Sequence, residues 1–143
     1  MQRFVIDSSI FNKLYLDEAD RDKAQQLFIH AAADKAILLA PDLLFLEVVN
    51  TAQRCGVPIN SVVDLLEAQK YLLDMRAVND AERKKAIQIM ANGHIKSGYP
   101  SIYDALFHAM AICNNAIFVT ADKRHFGKTQ LLGSICLLSE MSF

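Results

Sequence analysis

Phe4-Val5-Ile6-Asp7-Ser8-Ser9 opens the chain with an apolar run that stops on a carboxylate followed by two hydroxyl residues. An apolar run without alternation suits a strand covered on both faces, so Arg3 to Asp7 reads as the first strand of a mostly parallel sheet. Working outward, Ile10 to Leu16 begins a helix, and Ala24, Leu27, Phe28 and Ala31 recur at helical spacing from Arg21 to Ala33. Ala36 to Ala40 supplies a second buried strand. Pro41-Asp42 starts the next helix, because proline is tolerated in a first turn and Asp complements the dipole. Gly56-Val57-Pro58 breaks that helix. Ser61 to Leu73 continues with Val62, Leu65, Leu66, Gln69, Leu72 and Leu73 along one face, making an αα hairpin. Arg76 to Asn79 is a weak third strand, followed by a helix from about Asp80 to Ser97-Gly98 and another over Ser101 to Asn114. Ala116 to Thr120 is a strong fourth strand and Ser134 to Ser139 a fifth. Strands alternating with helices predict one doubly wound α/β domain over residues 1–143.

Four acids stand at the edges of these apolar elements: Asp7 after the first strand, Glu47 in LLFLEVVN, Asp104 in SIYDALFHAMA and Asp122 after IFVTA. In an open α/β sheet the ligand crevice lies beyond the carboxyl ends of the strands, where all four can meet. Gathering so many carboxylates in a partly buried place demands a cation or protons. Mg²⁺ and Mn²⁺ favour such oxygen ligands, and a divalent ion of this kind supports phosphodiester hydrolysis by activating water and neutralising the phosphate. Each acid also has a local reading. Asp104 completes S-x-x-D with Ser101 as a capping pattern, Asp122 starts a turn, Asp7 caps the following helix, and Glu47 faces solvent from an amphipathic helix.

Composition narrows the classes. With 143 residues and 52% hydrophobic content the chain can bury one substantial core. No apolar stretch approaches the roughly 20 residues of a spanning helix, and MQRFVIDSSIF has none of the sections of a signal peptide, so the expected location is cytoplasmic with no membrane association. Cys55, Cys113 and Cys136 fit neither a disulfide framework nor a zinc site; Cys113 and Cys136 are expected to be buried as small apolar residues, and Cys55 to be more exposed. The formal charge of −1 becomes +3 once four site carboxylates are set aside, so it does not exclude a nucleic-acid partner.

In order and setting, these motifs resemble the PIN-domain ribonucleases, especially the VapC-type toxins of toxin-antitoxin pairs. The resemblance spans nearly the whole chain: Asp7-Ser8-Ser9 after strand one, Glu47 inside an apolar helix, Ser101-Ile102-Tyr103-Asp104-Ala105-Leu106, and Val119-Thr120-Ala121-Asp122 followed by Phe126. It implies a PIN-like three-layer α/β/α fold around a sheet of four or five strands. It further implies an endoribonuclease dependent on Mg²⁺ or Mn²⁺, often a homodimer, inhibited by a cognate antitoxin protein. Asp7, Glu47, Asp104 and Asp122 would correspond to its acidic quartet, with Asp7 and Asp104 as the firmest metal ligands and Ser9 and Thr120 orienting carboxylates or water.

Lys123, Arg124, His125 and Lys128 follow Asp122, where they can contact RNA phosphates or form a solvated loop. His108, one turn beyond Asp104, is a candidate for the same site or an ordinary half-buried histidine. The hairpin from Leu43 to Leu73 carries adjacent apolar residues that one stripe cannot bury, which predicts a dimer or antitoxin interface. Two other classes compete: a catalytically inactive PIN-like regulatory or scaffold protein, and a phosphoacceptor receiver domain. The receiver reading leaves Glu47 and Ser101 to Asp104 without a role.

Overall fold

A computed structural model describes all residues, 1–143. Its centre is a five-stranded, wholly parallel sheet built from β1 (Gln2–Ile6), β2 (Ala36–Pro41), β3 (Leu73–Arg76), β4 (Ile117–Thr120) and β5 (Ile135–Leu137). The strand order is β3-β2-β1-β4-β5. Strand β1 lies between β2 and β4, pairing Val5 with both Leu39 and Phe118, and Phe4, Val5 and Ile6 are all buried. That double burial is why the run could afford no alternation. Winding reverses between β1 and β4, so their carboxyl ends flank the crevice where such folds place ligands.

The helices are α1 (Ser8–Phe11), α2 (Arg21–Ala32), α3 (Leu43–Arg54), α4 (Ile59–Gln69), α5 (Asp80–Met90), α6 (Ile102–Cys113) and α7 (Lys123–Thr129). None is long and apolar enough to cross a membrane. Leu44, Val48 and Ala52 form the buried stripe of α3 at four-residue spacing, while Phe45 and Leu46 of the same helix are exposed. Asn79 and Glu82 cap α5 reciprocally, and Ser101 caps α6 by accepting the Asp104 N–H at 3.2 Å.

Several expected boundaries move. Leu73 leaves the hairpin to open β3, because parallel pairing with Leu38 buries it; the apolar pair Leu72-Leu73 fits either period. Arg76 therefore ends the third strand instead of starting it. Pro41 closes β2, and α3 begins only at Leu43. Helix α5 stops at Met90, well short of Ser97-Gly98, with Ala91 as its cap; beyond it Gly93 packs so closely that a Cβ there would stand 2.7 Å from the Tyr99 ring. The first helix is a single turn, Ser8–Phe11, continued by a 3₁₀ turn over Asn12–Leu14. The basic stretch after Asp122, one reading of which is a loop, is helix α7. Cys113 is exposed and Cys136 half-buried, so neither is the sealed core residue expected; Cys113 sits on the open face of the last turn of α6.

Candidate active site

Asp7 leaves β1 and caps α1 in one step, its carboxylate turned inward and only 8% of the residue exposed. One oxygen, Oδ1, accepts from the Ser9 hydroxyl and from the Ile10 N–H at 3.3 Å; the other accepts from Thr120 Oγ1 at 2.6 Å. Ser9 and Thr120 also receive the N–H groups of Ala121 and Asp122, at 3.0 and 3.1 Å. Two hydroxyls thus stitch the ends of β1 and β4 together around one carboxylate. Burial pushes the Asp7 pKa up to about 6, with the Asp104 charge adding to it and the Ser9 and Thr120 bonds holding it back.

Glu47 reaches the same place from the middle of α3, three residues after buried Leu44. Half-buried, it is pushed up to about 7, first by burial and then by the charges of Asp7 and Asp104. Its Oε1 is buried with no hydrogen-bond partner. Asp104, in the first turn of α6, is raised by burial and by Asp122. Asp122 is exposed and spends Oδ1 on the N–H groups of Arg124 and His125, at 2.9 and 3.2 Å, as the cap of α7. The local reading of Asp122 as a starting residue therefore describes half of its carboxylate, and the other oxygen is uncommitted.

Whether this set fits a hard divalent ion divides in two. The donor chemistry fits: oxygen ligands, a buried Oε1 without a partner, and carboxyls that burial and mutual charge keep partly protonated. Ready-made geometry is lacking, since no three His, Cys, Asp or Glu side chains stand together as a ligand set. Closing the ring would take side-chain rotation of Glu47 or Asp104, because three hydrogen bonds hold Asp7 in place.

The histidines fall differently from their sequence setting. His108 is fully buried, its Nε2 2.8 Å from the Gly133 carbonyl oxygen and its ring 6.0 Å from Phe118, so it anchors the loop before β5 instead of entering the crevice. His125 is not a phosphate-facing residue. It is 2% exposed, with Nδ1 at 3.8 Å from Asp104 Oδ2. Lys123 and Arg124 are exposed on α7, and half-buried Lys128 is close enough for its charge to act on Asp104.

Two basic residues escaped the sequence reading. A polar cleft of about 450 Å³ adjoins the acids, lined by Ser8, Ser9 and Asp122 and also by Lys13 and Arg54. Lys13 stands in the 3₁₀ turn after α1 and Arg54 ends α3, each a single charge with nothing in its neighbours to mark it. A larger cavity of about 1050 Å³ lies elsewhere, along β2 and β3 beside Phe45, Tyr71 and Leu72. Cavity size alone would misplace the chemistry, because that groove holds none of the four acids.

The PIN domain family model matches residues 4–130. The chain belongs to the PIN domain family. Solved structures share its fold: VapBC2 from Rickettsia felis, bound to a DNA fragment from their promoter, aligns with a TM-score of 0.70 at 12% identity over 95% of this chain and 97% of that one. A toxin-antitoxin complex from Klebsiella pneumoniae gives 0.68 at 13% over 96% and 98%. VapC20 of Mycobacterium tuberculosis, a sarcin-ricin loop cleaving toxin, gives 0.65 at 14% over 85% and 92%. Among curated proteins the sequence matches none.

Proposed function

We propose that this protein is a divalent-metal-dependent endoribonuclease and the toxin of a type II toxin-antitoxin pair. The observation that carries the reading is the convergence of Asp7, Glu47 and Asp104 beyond β1: burial raises all three, a neighbouring carboxylate charge adds to each shift, and Lys128 offsets only that of Asp104. Asp7, Glu47, Asp104 and Asp122 would hold Mg²⁺ or Mn²⁺, which when bound supplies an activated water and neutralises phosphate charge. Ser9 and Thr120 fix Asp7 in one rotamer. Asp7 and Glu47 give up retained protons as they become ligands. Lys123, Arg124 and Lys128 of α7, with Arg54 in the adjoining cleft, offer positive charge to the flanking phosphates; Lys13 is buried and paired with Glu18 at 3.6 Å.

Structural relatives that are toxin-antitoxin complexes support an antitoxin as the partner. The α3–α4 hairpin supplies apolar surface for it or for a second copy in a homodimer: Phe45 is 37% and Leu46 63% exposed. The test is cleavage of an RNA panel by purified protein after EDTA treatment, with Mg²⁺ or Mn²⁺ restored. Restoration supports the enzyme. A chain that binds its antitoxin yet cuts no RNA under any divalent ion is instead a scaffold on the same fold.

A further inference from the structure

His125 is buried beside the acids with no hydrogen bond on Nδ1, and a buried polar atom without a partner calls for a reason. Its ring is fixed on several sides. Phe118 lies 5.6 Å away between centroids, His108 meets it edge-on at 6.2 Å, and the backbone N–H of His125 is held by Asp122 Oδ1 at 3.2 Å. Nδ1 faces Asp104 Oδ2 across 3.8 Å, a small rotation of the Asp104 side chain beyond hydrogen-bond range. Asp122 sets the start of α7, α7 sets the ring, and the ring faces a second acid of the same centre.

Resting on the reading of Asp104 as part of that centre, we propose that His125 is a positioning residue: its Nδ1–H donates to Asp104 Oδ2 and so decides which carboxylate oxygen is offered to the site. The tautomer follows from competing partners. A protonated Nε2 would find only Thr129 Oγ1, at 3.5 Å, and would aim the Nδ1 lone pair at a carboxylate. A protonated Nδ1 makes a charge-assisted bond once Asp104 turns toward it, and the Thr129 hydroxyl can serve Nε2 only by giving up its 3.0 Å bond to the His125 carbonyl, an exchange the stronger bond to the carboxylate outweighs. Histidine partners of ligating carboxylates belong to the outer shell that tunes a metal centre.

Nitrogen NMR of the imidazoles in the metal-free protein reads the tautomer directly, with His125→Asn identifying the signals. The expected result is Nδ1–H in the wild type, moving to Nε2–H in Asp104→Ala; Nε2–H in the wild type overturns the proposal. A second arm uses amide geometry, since Asn can place a donor where Nδ1 stands and Gln where Nε2 stands. Calorimetric Mn²⁺ binding should weaken about 10- to 100-fold in His125→Gln and stay near wild type in His125→Asn, both checked for fold by circular dichroism. Equal binding by both variants overturns the positioning role. If the wild type neither binds Mn²⁺ nor cuts RNA, the nuclease reading fails, and the tautomer still reports on the His125–Asp104 pair.

Discussion

Glu82 and Glu47 are both glutamates on helices of this domain that place a carboxylate out of water, and the chain treats them in opposite ways. Glu82, fully buried, takes both arms of Arg76 at 3.0 and 2.9 Å, the Asn79 N–H at 2.9 Å and Asn114 Nδ2 at 2.7 Å. Against the cost of burial, those bonds hold its pKa below the usual range. Glu47 has a buried oxygen with no partner and two like charges nearby, and its pKa rises to about 7. A buried acid that serves the fold carries its countercharge with it. One that lacks it, on the crevice side of a switch point, is what the proposed metal site requires.

The largest effect expected from breaking this contrast is on catalysis. Asp7→Asn or Asp104→Asn should reduce metal-dependent RNA cleavage by about 10²- to 10³-fold or more, as loss of a principal electrostatic group does, with circular dichroism unchanged. Wild-type rates in both, with protein free of contaminating nuclease, would remove the site. Arg76→Met reverses the pattern: it strands Glu82, costing about 3 kcal/mol in urea unfolding, while Mn²⁺ binding by the folded protein stays as it was. A variant that loses metal binding without losing stability would erase the distinction between the two glutamates.

The same contrast sets a pH dependence in the metal-free protein. Because the folded-state pKa values of Asp7 and Glu47 are raised, the folded protein holds protons that the unfolded chain releases. The stability they contribute is complete below about pH 4 and lost as pH rises to about 7, a few kcal/mol in all. Urea titrations in EDTA should show this decline, Asp7→Asn should remove its lower part, and Mn²⁺ should reverse it near neutrality. A rise in stability across that window that can be traced to Asp7 or Glu47 would contradict the shifts.

How much of this was legible depends on whether a residue answers to local pattern or to tertiary packing. Asp7 ends a run that only a doubly covered strand explains, and the sheet and the acids at its edge follow from that. Helix α7 was hidden because Lys123-Arg124-His125 shows no apolar period; Asp122 as its cap was the available signal, and buried His125 and Thr129 at i,i+4 mark its inner face. His125 looked like part of a basic surface, and only packing beside His108 and Phe118 turns it inward. Leu72-Leu73 satisfied two periods at once, and pairing with β2 decided between them.

Smaller effects remain. Ca²⁺ should support less cleavage than Mg²⁺ or Mn²⁺ at equal occupancy, because its larger, looser shell places water and phosphate less accurately; equal rates with Ca²⁺, or with no divalent ion, would contradict the mechanism. Phe45→Glu, on the exposed side of α3, should leave the fold and metal binding alone and weaken antitoxin binding or dimerisation. Unchanged sedimentation and unchanged antitoxin titration would exclude that face.

Calorimetric titration of Mn²⁺ into the EDTA-stripped wild type at pH 7, beside Asp7→Asn and Glu47→Gln, tests the central claim most directly. The account predicts saturable binding by the wild type with release of protons to the buffer, and strongly weakened binding in both variants. Absence of Mn²⁺ binding by a folded wild type, or equal binding and equal proton release in all three, would contradict it.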